Sequence, residues 1–161
     1  HNVKGQASTG IDFCSLQRLL RKGYQQANRE CRPVLVSFSQ PLPGCLDPLV
    51  VFSLALHIGK DRSFWANLKE RFWIVGVGRA TRINLNGPER FLKAVMLHRE
   101  IMSSAIVEGI EDGILGPMFM GGFRFDIDDS DSTVWEQFPD ISIFQPLLHI
   151  HYCQHGLQTN Y

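Results

Sequence analysis

Three residues near the end of the chain have the types and the spacing that suit a zinc ion. His149, His151 and Cys153 alternate with other residues, so on a β-strand all three would lie on one face. Alternate histidines can chelate zinc, and the cysteine would supply a third ligand. Polar residues on the solvated face of a strand explain the same pattern, and no carboxylate or fourth ligand is evident nearby. A metal site and a solvated strand face therefore stay open as alternatives.

A second cluster of possible ligands is acidic. Asp126, Asp128, Asp129 and Asp131 could offer oxygen atoms to calcium. The stretch lacks the glycine and the distal glutamate that complete an EF-hand loop. The sequence therefore favours a solvated connecting loop.

Two further patterns could suggest nucleotide binding or catalysis. Gly76 and Gly78 stand in a Gly-Val-Gly sequence, but a dinucleotide-binding loop needs a third glycine that opens a helix, whereas residues 79–85 have a strand pattern. Cys14 could be a nucleophile, but its sequence neighbours are not activating, which favours a buried thiol. No Ser/His/Asp arrangement and no phosphate-binding loop is evident in the sequence.

Composition limits the classes of partner. The chain has 161 residues, enough for one domain with its own core. Its 16 basic and 16 acidic residues give a formal net charge of zero, so there is no electrostatic reason to expect nucleic acid or an anionic membrane as partner. No apolar stretch is long enough to span a bilayer, and no signal-peptide pattern is present.

The cysteines indicate the compartment. They are Cys14, Cys31, Cys45 and Cys153. No two of them form a CxxC pair, and their spacing does not match a small secreted disulfide scaffold. We therefore expect reduced thiols and a cytoplasmic location.

Two to three helices are predicted, the first and third from apolar residues that recur every three or four positions and the second from Asp47 and Pro48 at its start. The first would be capped by Asp12 or Thr9. Its apolar face consists of Phe13, Leu16, Leu20, Tyr24 and Ala27. The second spans Pro48 to about His57, although Val50, Val51 and Phe52 keep a strand possible there. The third spans Pro88 to about Gly109. The apolar face of the third consists of Phe91, Leu92, Val95, Met102, Ala105 and Ile106.

Short apolar segments bounded by turn residues predict strands. They are residues 32–39, 63–68, 71–78, 79–85, 118–125, 141–144, 147–152 and 157–161. Lys69 and Glu70 would form the tip of a hairpin, and the pair Gly121-Gly122 marks a close backbone approach or a bulge. These elements predict an α+β fold, with a mostly antiparallel sheet and two to three packed helices.

The two ends of the sequence predict how the chain relates to a longer protein. The sequence begins at His1 without an initiator methionine and stops at Tyr161 within a strand pattern. We therefore expect residues 1–161 to be a single N-terminal domain or a piece of a longer protein. An open edge on the last strand would predict self-association of the isolated chain.

Several segments together resemble the N-terminal part of isochorismate synthases, in the family of chorismate-utilising enzymes. The segments are Asp47-Pro48-Leu49, Phe64-Trp65, Trp73 to Ala80, Gly121 to Asp126, Trp135 with Phe138-Pro139, and Pro146-Leu147-Leu148. Their order and spacing carry the resemblance, which is greatest for the menaquinone and siderophore enzymes. Gly76, Gly78, Gly121 and Gly122 match family positions that let strands bend and pack.

The resemblance implies the N-terminal portion of the anthranilate synthase-like fold. It also implies a longer parent enzyme, an isomerase that interconverts chorismate and isochorismate with Mg²⁺. In such enzymes a lysine is the general base, a glutamate is the general acid, and further glutamates hold the ion. No position of this chain matches those residues, so the resemblance assigns it no catalytic, cofactor-binding or metal-binding residue. We expect it to be inactive alone, with the absent C-terminal catalytic domain as its partner.

Two alternatives stay open. Salicylate, anthranilate and aminodeoxychorismate synthases resemble the same pattern, although the Leu-Leu-Glu-Ser sequence typical of anthranilate synthases is not found here. The other alternative is a self-contained, non-catalytic interaction domain. The open strand edge expected near Tyr161 argues against it.

Overall fold

The fold was obtained as a computed structural model, which describes most of the chain. The described residues are 10–42, 46–57, 61–109, 116–125, 137–153 and 156–160, without the side chains of 153 and 156–160. Within these ranges the chain forms three helices and nine strands. The predicted α+β class is confirmed.

The helices are α1 (Phe13–Glu30), α2 (Pro48–His57) and α3 (Arg90–Ser103). The strands are β1 (Val36–Pro41), β2 (Arg62–Asn67), β3 (Phe72–Val77), β4 (Thr81–Leu85), β5 (Ile106–Glu108), β6 (Met120–Phe123), β7 (Ile141–Gln145), β8 (Leu148–Cys153) and β9 (Gly156–Asn160). They form a six-stranded sheet in the order β2-β3-β8-β9-β1-β5 and a three-stranded sheet in the order β4-β7-β6. Among these described strands only β1 and β5 pair in parallel.

Helix α1 begins at the predicted cap but buries a different face. Asp12 accepts a hydrogen bond from the Ser15 N–H at 3.0 Å, and this bond lowers the pKa of the Asp12 carboxyl. The buried positions are Leu19 and Gly23. Gly23 contacts Val36 so closely that a Cβ atom would overlap the valine side chain.

The predicted apolar face of α1 is therefore wrong in part. Leu16 packs against the buried core, but Phe13, Leu20 and Tyr24 are exposed. Relative to the predicted orientation, the helix is rotated about its axis so that Leu19 faces the sheet. Leu19 forms the core cluster with Phe38 and Ile106.

Helix α2 has the predicted bounds and packs on the β2–β3 hairpin. The Asp47 carboxylate accepts a hydrogen bond from the Leu49 N–H at 2.8 Å, which caps the first turn. The Phe52 ring lies 6.1 Å from the Phe64 ring, and the Arg62 guanidinium lies 4.2 Å above Phe52. These contacts attach α2 to the edge strand β2.

The chain passes between the two sheets at Gly78 and again at Pro146. Gly78 has a φ of +67°, which glycine adopts without steric cost, and it separates β3 from β4. Pro146 separates β7 from β8 and lies against Gly76, where a Cβ atom would be 2.9 Å from the proline ring. As a result β3 and β4 belong to different sheets, and so do β7 and β8.

The predicted C-terminal end of the third helix is wrong. Helix α3 ends at Ser103, and the residues assigned to its last turn form β5. The Ile106 N–H donates to the Leu35 carbonyl oxygen at 2.8 Å, and Ile106 pairs with Val36 in the sheet. Pairing with a strand some 70 positions away thus overrides the helical periodicity.

The open strand edge expected near Tyr161 is also wrong. Strand β9 lies between β8 and β1 and is antiparallel to both. Its backbone groups are therefore paired on both sides, and β9 gives no reason to expect self-association. No helix within the described ranges combines the length and hydropathy needed to cross a membrane.

Candidate functional site

Both helices that cover the six-stranded sheet lie on the same face. Helix α1 packs through Leu19 on Phe38, and α2 packs through Phe52 on Phe64. The strand registers place Phe38 and Phe64 on one side of the sheet. Because side chains alternate along a strand, the intervening residues lie on the other side.

The other side of this sheet carries the candidate ligands from the sequence. Following the registers, it presents Ser39 of β1, Ile74 and Gly76 of β3, and His149 and His151 of β8. We call this surface the histidine face. It is joined to the three-stranded sheet where the Ser63 hydroxyl lies 3.5 Å from the Met120 sulfur.

His149 and His151 are both buried, with exposed fractions of 1% and 0%. Their ring centroids are 5.7 Å apart, and the His151 ring stacks on Phe72 at 6.5 Å. Strand β8 lies between β3 and β9, so neither of its edges is open. The solvated strand face considered from the sequence is therefore wrong.

Burial changes the protonation of His149. Loss of solvation, and secondly the charge of His151, lowers the pKa of His149 from 6.5 to about 4. The ring is therefore neutral at pH 7 and has one nitrogen lone pair. Its Nε2 atom is buried and has no hydrogen-bond partner in the described structure.

The third predicted ligand cannot be placed with the other two, because the side chain of Cys153 lies outside the described residues. In the part of the chain that is described, no three His, Cys, Asp or Glu side chains are grouped to hold a metal ion. The zinc site of three ligands stays a prediction.

Ser39 adds polarity to the same buried surface. Ser39 and His149 are both register partners of Asn160, so they lie in one row across the sheet. Ser39 is 1% exposed, and its Oγ atom has no hydrogen-bond partner among the described residues. Buried polar atoms usually have partners, so this row is unusual in a sheet interior.

A second polar cluster surrounds Asp140. Its Oδ2 atom accepts a hydrogen bond from the Gly87 N–H at 2.8 Å, and its own N–H donates to Asn86 Oδ1 at 2.9 Å. The Arg124 N–H donates to the Asp140 carbonyl oxygen at 2.7 Å, and the two side chains form an ion pair at 3.6 Å. The cluster connects the turn before α3 with β6 and β7.

Arg90 completes this cluster from the first turn of α3. It is buried, and its terminal nitrogens donate to the carbonyl oxygens of Gly87 and Arg124 at 3.3 and 3.4 Å. Sequence reasoning missed Arg90 and Asp140. A signal was present: Arg124 and Asp140 both stand in or beside the segments that carry the family resemblance.

Gly121 fixes the pairing of β6 with β7. Its φ is +154°, and a Cβ atom there would overlap the carbonyl oxygen of Ser142. At Gly122 a Cβ atom would meet open space. The predicted close backbone approach is confirmed at the first glycine of the pair only.

The other sequence candidates are less informative. Cys14 is exposed rather than buried, because it lies on the outer side of α1, and it is a free thiol like Cys31. The acidic residues 126–131 and Trp135 lie outside the described residues. Gly78 is followed by β4, as the sequence predicted, and not by the helix that a dinucleotide-binding loop needs.

Comparison with known proteins relates these features to a family. The sequence pattern of the family described as chorismate binding enzyme matches residues 22–159. The chain is 27% identical over 145 residues to isochorismate synthase MenF of Bacillus subtilis, covering 83% of this chain and 31% of that protein. It is 30% identical over 129 residues to the salicylate biosynthesis isochorismate synthase of Pseudomonas aeruginosa, covering 80% of this chain and 26% of that protein.

No solved structure matches the chain significantly. The chain spans less than a third of the length of either curated relative.

Proposed function

Because the chain belongs to the family of chorismate binding enzymes, we propose that it is the N-terminal portion of an isochorismate synthase. The parent enzyme would be an isomerase that converts chorismate to isochorismate. One observation carries this proposal: two relatives named isochorismate synthase each align with at least 80% of the chain. That agreement favours this reaction over those of salicylate and anthranilate synthases.

We propose that the chain has no isomerase activity by itself. The general base, the general acid and the Mg²⁺ ligands would lie in the sequence that the relatives have beyond the matched portion. The buried carboxylate of Asp140 is engaged with Arg124 and Gly87, so it is not free for a hard cation. Among the described residues no three His, Cys, Asp or Glu side chains are grouped to hold a metal ion, and no step of the reaction is assigned to them.

The exposed apolar surface of α3 supports a role in assembly. Phe91, Leu92, Val95 and Met96 repeat at helical spacing and are all exposed. Contiguous apolar surface of this kind usually marks an interface. We propose that the catalytic portion of the parent enzyme packs on this surface, since the relatives are more than three times as long as their matched segments.

The pathway and the compartment are finer parts of the proposal. We propose that the parent enzyme serves menaquinone or a related biosynthesis and is cytoplasmic. The sequence resemblance, which is greatest for the menaquinone and siderophore isochorismate synthases, supports the first part. The free thiols of Cys14 and Cys31 support the second.

The reaction is tested by assaying the complete parent enzyme and the 161-residue chain with chorismate and Mg²⁺. We expect the complete enzyme to form isochorismate and the chain alone to form none above the uncatalysed background. Formation of salicylate with pyruvate, or of anthranilate from an added nitrogen donor, would instead assign the parent enzyme to the alternative classes.

The interface is tested separately by producing the remainder of the parent enzyme as a second chain. We expect Leu92→Asp to reduce its association with residues 1–161 by at least about tenfold, because a charge would be buried. The matched control is Arg99→Asp on the same helix, which starts from an exposed charged residue. Association that Leu92→Asp leaves unchanged would exclude the apolar face of α3 as the interface.

A further inference from the structure

The histidine face contains two imidazoles whose separation suits a shared metal ion. Two imidazoles that bind one tetrahedral zinc ion through bonds of about 2 Å have ring centroids roughly 5 to 5.5 Å apart. The rings of His149 and His151 are 5.7 Å apart and 36° from coplanar. The distance between the two rings is therefore compatible with one shared ion.

The buried surroundings of the His149 ring also favour a bound ligand. The Nε2 atom of His149 has no hydrogen-bond partner in the described structure, although the side chain is almost fully buried. Leaving a buried polar nitrogen without a partner is unfavourable, and a bond to a metal ion removes that cost. The stacked Phe72 ring restricts the orientation of His151, as neighbouring groups do for metal-binding histidines.

We propose that His149 and His151 together bind a transition-metal ion such as Zn²⁺ on the histidine face of the six-stranded sheet. Cys153 is the next residue in the same alternation along β8 and is the candidate for a third ligand by its position. The inference needs the two histidines only. It does not depend on the proposed isomerase function.

The donor atoms determine which ions are accepted. Imidazole nitrogen suits Zn²⁺, Co²⁺, Ni²⁺ and Cu²⁺, whereas Mg²⁺ prefers oxygen ligands. The register partners of the two histidines on β3 and β9 are Gly76, Ile74, Asn160 and Gln158, none of which is a carboxylate. Excess Mg²⁺ should therefore not compete for the two imidazoles.

The test uses the 161-residue chain, freed of metal by a chelator and then dialysed against ZnCl₂ with excess Mg²⁺. We expect elemental analysis to find about one zinc per chain. Zinc at roughly 100 times its dissociation constant should raise the melting temperature by roughly 5 to 10 °C. His149→Gln and His151→Gln should both abolish the rise, while His57→Gln, at an exposed histidine of α2, should retain it.

Absence of retained zinc would overturn the proposal, and so would zinc uptake that is unchanged in both buried-site variants. Since a variant at a buried position could fail to fold, the unmodified chain provides a second test. X-ray absorption at the zinc edge should show scattering from two imidazole rings. A zinc ion surrounded by oxygen atoms alone would contradict the proposal whatever the variants do.

Discussion

The six-stranded and three-stranded sheets differ in how they bury their faces. On β3, the consecutive residues Ile74 and Val75 are 1% and 0% exposed, so both faces of the larger sheet are inaccessible there. The smaller sheet packs beside α3, yet Leu92 and Met96 on that helix are 61% and 60% exposed. Both faces of the larger sheet are thus covered at β3, whereas α3 beside the smaller sheet leaves apolar side chains in solvent, as α2 also does.

The exposed apolar face of α3 is the surface on which we propose that the rest of the parent enzyme packs. Consecutive apolar residues buried on both faces are typical of a strand inside a layered domain. An apolar helix face left in solvent is typical of an interface. The smaller sheet keeps its shape through backbone approach at Gly121 and the polar cluster of Asp140, Arg124 and Arg90.

The largest effect is expected in the smaller sheet, at Gly121. Gly121→Ala forces a Cβ atom onto the Ser142 carbonyl and a strained φ, which together should cost about 4 kcal/mol of unfolding free energy. Gly122→Ala, with open space at the Cβ position, should change stability by no more than about 0.5 kcal/mol. Urea unfolding measures both values. Equal effects would show that backbone approach does not hold this sheet together.

The next effect tests the contrast in burial directly. Ile74→Ala removes a fully buried side chain and should cost about 3 kcal/mol. Leu92→Ala on α3 should cost less than about 0.5 kcal/mol, because that side chain is already in solvent. A large loss at Leu92 in the isolated chain would mean that α3 is already packed, and the comparison between the sheets would break down.

A smaller effect is expected from pH and concerns the histidine face alone. The unfolded chain binds a proton at His149 below pH 6.5, but the folded chain does so only near its lowered pKa of about 4. The free energy of unfolding is therefore highest, as far as this ring is concerned, above pH 6.5. It decreases as the pH falls, by about 2 kcal/mol at pH 5.

Denaturant unfolding between pH 7.5 and pH 5, with a chelator present, measures this loss. His149→Gln should flatten the profile by that amount, whereas the control His57→Gln should leave it unchanged. The residues paired with His149, namely Gly76 and Asn160, do not titrate, so His151 is the one titratable neighbour assigned to it. A profile that is unchanged in His149→Gln would contradict the burial of that ring.

Local signals in the sequence were sufficient for several elements. Asp47 and Pro48 fix the start of α2 because capping and proline geometry act within one turn. The hairpin around Lys69 and Glu70 was predicted because two strand patterns flank a short polar turn, and β2 pairs with β3 as expected. The resemblance to chorismate-utilising enzymes was confirmed by the family match to residues 22–159.

Long-range contacts decided what the sequence could not show. The rotation of α1 depends on Gly23 meeting Val36, and β5 depends on Ile106 pairing beside β1. The burial of His149 on a sheet face has no signature in the alternating pattern of β8. None of these partners is close in sequence, so periodicity alone gave the wrong apolar face for α1 and left a solvated site open for the histidines.

The most direct test of the central claim is the product formed from chorismate and Mg²⁺ by the complete parent enzyme, compared with the purified 161-residue chain. The account predicts isochorismate from the complete enzyme and no product above background from the chain. Turnover by the chain alone, or a complete enzyme that forms no isochorismate, would contradict it.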